Sequence, residues 1–333
     1  LDVVLRQLAA DWEFQKSYNR YYLFELPTHV KGALIGYLAR WHSKGVSMSD
    51  LRAILLPCPT GDTGEADSDG SPPPTQSHHI VNEELSDLDL TGSLGRSLKL
   101  RELTDFLFPT KTIKSVPATS DDLQESWDTP SSSGNNTSTI TRPLLPNLTH
   151  LSLAITPSSA PTVSWRHLLS FSTHFPTLTH LSLANWPEPC LTPNAKHTAA
   201  SVTNAVTGRS IQYGGTGPYS HSLDEDWSEA VLVLRRLARH LYGLEWLDLS
   251  GCAGWALPGL TTAAEGDKVD WVGDWGKVET VVLWPRVKGD EGSDLEKELY
   301  EKEVGAARKL ERYIRSQRGG VGRGITVATV PSS

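Results

Sequence analysis

The sequence predicts an α/β chain of stacked strand-and-helix units with helices at its N-terminal end. Three observations predict it. The phrase Leu-Thr-His-Leu-Ser-Leu-Ala occurs twice, at 148–154 and 178–184, and each copy follows a proline, Pro146 or Pro176, by two residues. Between the copies, Trp165-Arg166-His167-Leu168-Leu169 runs on to Phe175 with apolar residues at helical spacing. The L-x-x-L-x-L pattern of the phrase also recurs elsewhere. One strand with one helix cannot bury its own apolar face, so units of this period must stack on one another.

The further copies are Leu85 to Leu90, Leu244 to Leu249, Val278 to Leu283 with valines substituting, and a last strand over Ile325 to Val330. Long intervals precede the copies at 148 and 244. Each holds one helical segment, so they read as insertions. Over roughly residues 82–330 the chain resembles the leucine-rich-repeat superfamily of the helix-backed type, and Cys252 falls where that pattern takes Asn or Cys. The resemblance implies a solenoid with parallel strands on a concave face and helices on the convex face. It also implies that the concave face binds other macromolecules.

Side chains alternate along a strand. Leu151 and Leu153 therefore point toward the helix, and His150, Ser152 and Ala154 point away. Stacked in register, the outward residues form columns. Asp87, His150, His180, Trp246 and Thr280 make one. Asp89, Ser152, Ser182, Asp248 and Val282 make the next, and Thr91, Ala154, Ala184, Ser250 and Trp284 the third. The partner-binding residues expected on this face are Asp87, Asp89, His150, Ser152, His180, Ser182, Trp246, Asp248, Thr280 and Trp284. Small residues around two tryptophans suit an interface with an aromatic anchor.

Residues 1–58 read as helical. Leu1, Leu5, Leu8 and Trp12 share one helical face, and Val30, Leu34, Tyr37, Leu38 and Trp41 continue a stripe that Gly45 ends. Ser49 is placed to cap a short helix through Leu55. Such a segment serves as the cap that a stack of repeats requires. Leu26-Pro27, Leu34 and Tyr37-Leu38 also resemble the opening of an F-box, although the later Val- and Trp-bearing part of that motif is missing. This resemblance implies docking of a Skp1-like adaptor of a cullin-RING ubiquitin ligase on Leu26, Pro27, Val30, Leu34 and Leu38. The cap is the leading expectation and the F-box the alternative.

Residues 59–80, with three consecutive prolines, read as a solvated linker too poor in apolar residues to fold alone. Residues 81–333 form the repeat domain, with inserts at 109–143, 187–222 and 253–276. Ile211 and Tyr213 give the second insert something to bury. Leu94, Leu98, Leu103 and Leu107 suggest one helix. Asp224-Glu225-Asp226 opens another that buries Ala230, Val231, Leu234, Ala238 and Leu241. Ser293 and Glu296 form a capping box for the last, which runs to about Gln317.

A net charge of −8 and a pI near 5.8 argue against a nucleic-acid partner, whose electrostatic footprint would be basic. Cys58, Cys190 and Cys252 are far apart and form no C-x-x-C, so neither a zinc site nor a disulfide framework is expected. A reducing, intracellular compartment, cytoplasmic or nuclear, fits that usage. No apolar run nears the ~18 residues of a membrane span. There is no G-x-S-x-G, phosphate-binding P-loop or H-E-x-x-H. The expectation is a non-enzymatic scaffold or adaptor without cofactor or metal, a monomer within a larger complex, binding a protein partner.

Overall fold

Leu88, Leu151, Leu181, Leu247, Val281 and Val327 lie side by side at the centres of six short strands. A computed structural model describes residues 1–57, 82–109, 143–191, 200–203, 210–213, 227–262, 268–284, 294–320 and 323–329. The strands are β1 (Asp87–Asp89), β2 (His150–Ser152), β3 (His180–Ser182), β4 (Ala200–Thr203), β5 (Ser210–Tyr213), β6 (Trp246–Asp248), β7 (Thr280–Val282) and β8 (Thr326–Ala328). Six of them build one all-parallel sheet in the order β1-β2-β3-β6-β7-β8. Each strand pairs with the next in the chain, so every step from β2 to β8 repeats the one before. The exception is β4–β5, an antiparallel pair of its own inside the stretch expected to be an insert. The linker 59–80 and most of the inserts 109–143 and 187–222 lie outside the described residues, as do Ser293 and the acidic run 224–226.

The described N-terminal helices are α1 (Asp2–Ala10), α2 (Trp12–Tyr18), α3 (Thr28–Trp41) and α4 (Met48–Leu55). Helix α3 lies along the free edge of β1. Gly32 permits this approach: a Cβ there would sit 3.1 Å from Leu85 Cδ1 and 3.6 Å from the Asp87 carbonyl. Arg40 of α3 reaches Asp89 Oδ2 at 2.9 Å. Ser47, rather than Ser49, caps α4, because Asp50 at the third position returns the bond and completes a capping box. Asp50 is only 3% exposed, and its Oδ1 also accepts from Trp12 Nε1 at 2.8 Å and Lys16 Nζ at 2.6 Å. Burial acts against this charge, but the bonds from Lys16, Ser47 and Trp12 outweigh it and hold the carboxyl below its usual range. Lys31 is fully buried, with Nζ 4.4 Å from the Phe24 ring centroid and 3.4 Å from Asn82 Oδ1, and burial pushes its ammonium pKa down.

Two expectations for this segment need correction. Leu5 and Trp12 are buried, but Leu1 is exposed, because it precedes the first residue of α1. Trp41 is also exposed and carries the Arg6 guanidinium 4.3 Å from its ring.

The remaining described helices are α5 (Leu100–Leu107), α6 (Trp165–Ser172), α7 (Ser228–His240), α8 (Ala253–Thr261) and α9 (Asp294–Arg318). Each packs on the next, and they share one apolar core with the leucine face of the sheet. Leu94 and Leu98 were expected in a helix with Leu103. Instead they pair as an isolated bridge in a turn where Gly92 and Gly95 take φ of +70° and +74°, and α5 starts after it. Residues 253–276, expected as an insert, contain α8. Gly254, Pro258 and Gly259 hide that helix from propensity, and burial of Trp255, Ala256 and Leu260 stabilises it.

Trp165, Trp186 and Trp255 meet edge to face at 5.2 and 5.6 Å, and their indole N–H groups donate to the backbone carbonyls of Pro187, Leu153 and Trp186, which follow β2 and β3. Arg318 ends α9 and is 6% exposed. Its guanidinium donates to the carbonyls of Trp271, Trp275, Val278 and Arg323 at 2.6–3.1 Å, joining the helix end to the entrances of β7 and β8.

Candidate functional site on the open sheet face

The sheet has one covered face and one open face. Central strand residues are buried, and most of their flanking neighbours are half-buried or exposed. Pairing register gathers the outward residues. Asp87, His150, His180, Trp246, Thr280 and Thr326 are successive partners across the sheet, and so are Asp89, Ser152, Ser182, Asp248, Val282 and Ala328. The third column follows: the Gly92, Ile155, Asn185 and Gly251 amides donate to the carbonyls of Ala154, Ala184, Ser250 and Trp284. All ten residues expected for partner binding therefore lie on one face. Four of the outward positions are buried rather than open, Ala154 and Ala184 of the third column at 7% and 8% exposed and two of the second. Val282 and Ser182 are 3% and 7% exposed, and the Ser182 hydroxyl is spent on Asp248 Oδ2 at 2.6 Å.

The first column forms an aromatic row. The His150 and His180 rings stack at 4.0 Å with 20° between planes, and Trp246 lies 6.0 Å beyond at 25°. Asp87 Oδ1 stands 3.4 Å from His150 Nδ1 at the other end of the row. Two threonines outside the expected set complete the arrangement. Thr149 Oγ1 and Thr179 Oγ1 each lie 2.9 Å from Nδ1 of the histidine that follows. Their signal was in the sequence, since both copies of the phrase read Thr-His. Burial first, then the neighbouring His150, pushes the His180 pKa down, with Glu245 and Asp87 opposing.

The second column is braced by one device used twice. Asp89 and Asp248 each accept the amide and hydroxyl of the residue two further on, Thr91 and Ser250. Trp284, at 36% exposed, is the most open of the expected contact residues of the third column.

The residues expected to dock an adaptor are disposed differently. Leu34 and Leu38 are 1% and 0% exposed and belong to the common core, Leu26 and Val30 pack against it, and only Pro27 is open. As folded, Leu34 and Leu38 serve the contact between α3 and the rest of the chain. A docking surface built on them would require α3 to lift off β1.

Among the described residues, no group of three or more His, Cys, Asp or Glu is placed to hold a metal ion. No described helix is long and apolar enough to cross a membrane. An open depression between α1 and α3, lined by Asp2, Arg6, Tyr37, Arg40 and Trp41, has a volume of about 290 Å³. Its arginines already face carboxylates, Arg6 with Asp2 and Arg40 with Asp89. No protein-family model, curated protein or solved structure matches the chain.

Proposed function

We propose that the chain is a leucine-rich-repeat solenoid that binds another protein across the open face of its sheet, as a non-enzymatic scaffold or adaptor. The observation that supports this reading best is the common register of the repeated phrases. It spends every central leucine or valine on the core and leaves the intervening residues in columns where, among the described residues, the His150, His180 and Trp246 rings stack only on one another. Aromatic side chains beside small ones give large contact area at low entropic cost.

The test is comparative affinity purification with the full chain as bait. Wild type, the double variant Trp246→Ala/Trp284→Ala, and Tyr242→Ala as an exposed control outside the columns are run in parallel. A partner held by wild type and by the control but lost from the double variant is the expected result. A partner retained equally by all three places the interface elsewhere and overturns the reading.

A further inference from the structure

Each histidine of the open face meets a threonine hydroxyl at Nδ1, 2.9 Å away, and each hydroxyl also reaches a backbone carbonyl at 3.2 Å, Thr149 that of Ser86 and Thr179 that of Thr149. A hydroxyl that donates to its carbonyl leaves its oxygen to receive the Nδ1 proton of the histidine. Asp87, beside His150 Nδ1, favours the same proton position. A neutral imidazole protonated at Nδ1 carries an acceptor lone pair at Nε2. Near-parallel stacking, with Nδ1 anchored the same way in both rings, sets the two Nε2 acceptors side by side. Neither Nε2 has a hydrogen-bond partner among the described residues, and neither is sealed from solvent.

The charges around this pair are mostly negative. Asp87 faces it from β1 and Glu245 from the entrance of β6. The described partners of Asp87 are the Ser86 hydroxyl and His150, with no Lys or Arg. Arg323 meets Glu245 at 3.3 Å but is shared with Glu279 at 2.7 Å. Two adjacent acceptors, two carboxylates and the Trp246 ring require the same complement: a planar cation with several donors. We propose that the open face receives an arginine side chain of its protein partner, whose guanidinium donates to His150 Nε2 and His180 Nε2, faces Asp87 and lies against Trp246.

Arginine fits better than lysine because its fixed fork of N–H donors can serve both acceptors at once and its flat face stacks on aromatic rings. The inference rests on the open face being the binding face. It adds the chemistry of the anchor and a dependence on pH. Protonating either imidazole turns its acceptor into a donor and adds a positive charge beside the guanidinium. Binding is therefore present while the His180 ring is neutral and is lost as pH falls through its protonation. Burial and His150 push the His180 pKa down, so that ring stays neutral to more acid pH than an ordinary histidine.

The experiment uses the full chain with ¹⁵N-labelled histidine, followed by NMR. The probes are acetyl-Gly-Arg-Gly-amide, and the lysine and glutamate peptides of the same length. His150→Ala and His180→Ala assign the signals. At pH 8 the free protein is expected to show protonated Nδ1 and bare Nε2 at both rings. The arginine peptide shifts both Nε2 signals saturably, the lysine peptide does so more weakly and the glutamate peptide leaves them unmoved. Asp87→Asn, an exposed and conservative change, is expected to weaken the arginine peptide by about tenfold, the loss of one charge-assisted contact. A bare Nδ1 at either ring, or arginine and glutamate peptides acting alike, overturns the inference. If the double tryptophan variant loses its partner while the arginine peptide leaves both histidines unmoved, only this inference falls. If the peptide acts as expected and the partner ignores both tryptophans, the proposed function falls and takes with it the assignment of the arginine to that partner.

Discussion

Two buried ionic side chains show how single residues hold distant elements together. Asp50 closes a capping box on α4 and receives Trp12 and Lys16 from α2. Removing one member of such a group leaves the rest desolvated and unpaired, which costs more than the group contributes net. Asp50→Ala is expected to lower stability by about 3 kcal/mol in urea unfolding. The sign with pH follows from its lowered pKa. The folded state holds fewer protons at this site than the unfolded one, so the contribution is complete above the unfolded carboxyl value and fades as pH falls toward the folded value. Asp50→Ala should therefore flatten the acid limb of the stability curve; an unchanged limb would mean that the bonds to Asp50 add nothing. Arg318 makes the parallel case with four carbonyl acceptors. Lysine presents a point charge rather than a fork and cannot reach all four, so Arg318→Lys is expected to cost about 2 kcal/mol. A loss no larger than that of an exposed arginine such as Arg312 would refute it.

At the scale of elements, each strand contributes a central apolar residue to the core and outward neighbours to the open face. Leu181 is 1% exposed between Leu151 and Leu247, with helices behind. Leu181→Ala is expected to cost about 2–5 kcal/mol, the range for a buried leucine whose cavity collapses only in part. Ser152→Ala, on the half-open face of β2, should cost less than 1 kcal/mol; equal losses at both sites would contradict the division into faces. That division was legible in the sequence because strand alternation is a two-residue rule, and one phrase repeated without slippage fixes every later residue. The same rule placed His150 beside His180 and Trp246. Helix α8 was not legible, because Gly254, Pro258 and Gly259 erase its propensity and only tertiary burial restores it. The cap of α4 was misplaced by two residues because Ser47 and Ser49 are both good caps, and the choice fell to Asp50 reaching back to Ser47. The burial of Leu34 and Leu38 was hidden because their stripe fits a cap or a docking surface equally well. What decides is the approach of α3 to β1 at Gly32, a contact between residues far apart in the chain.

For the whole molecule, a sheet in which each strand pairs only with its neighbours leaves its two end strands the least supported. The sheet begins at β1, whose outer backbone groups would face water without α3. An uncovered strand edge is a template for pairing with another chain. The N-terminal helices share one continuous core with the sheet, through Leu34, Ile35 and Leu38. Removing residues 1–81, the N-terminal helices with them, therefore does two things at once: it uncovers the β1 edge, and it strips apolar cover from Leu85 and Leu88. A chain of residues 82–333 is expected to unfold at a lower temperature than the intact chain. It should also associate with a concentration dependence that the intact chain lacks, read by light scattering. Changes at Val3 or Phe14, whose side chains are exposed on α1 and α2, should do neither. If residues 82–333 remain monomeric with an unchanged midpoint, the helices are an attached module rather than the cover of the β1 edge. In that case α3 would be free to lift from β1, and Leu34 and Leu38 would become available to a partner.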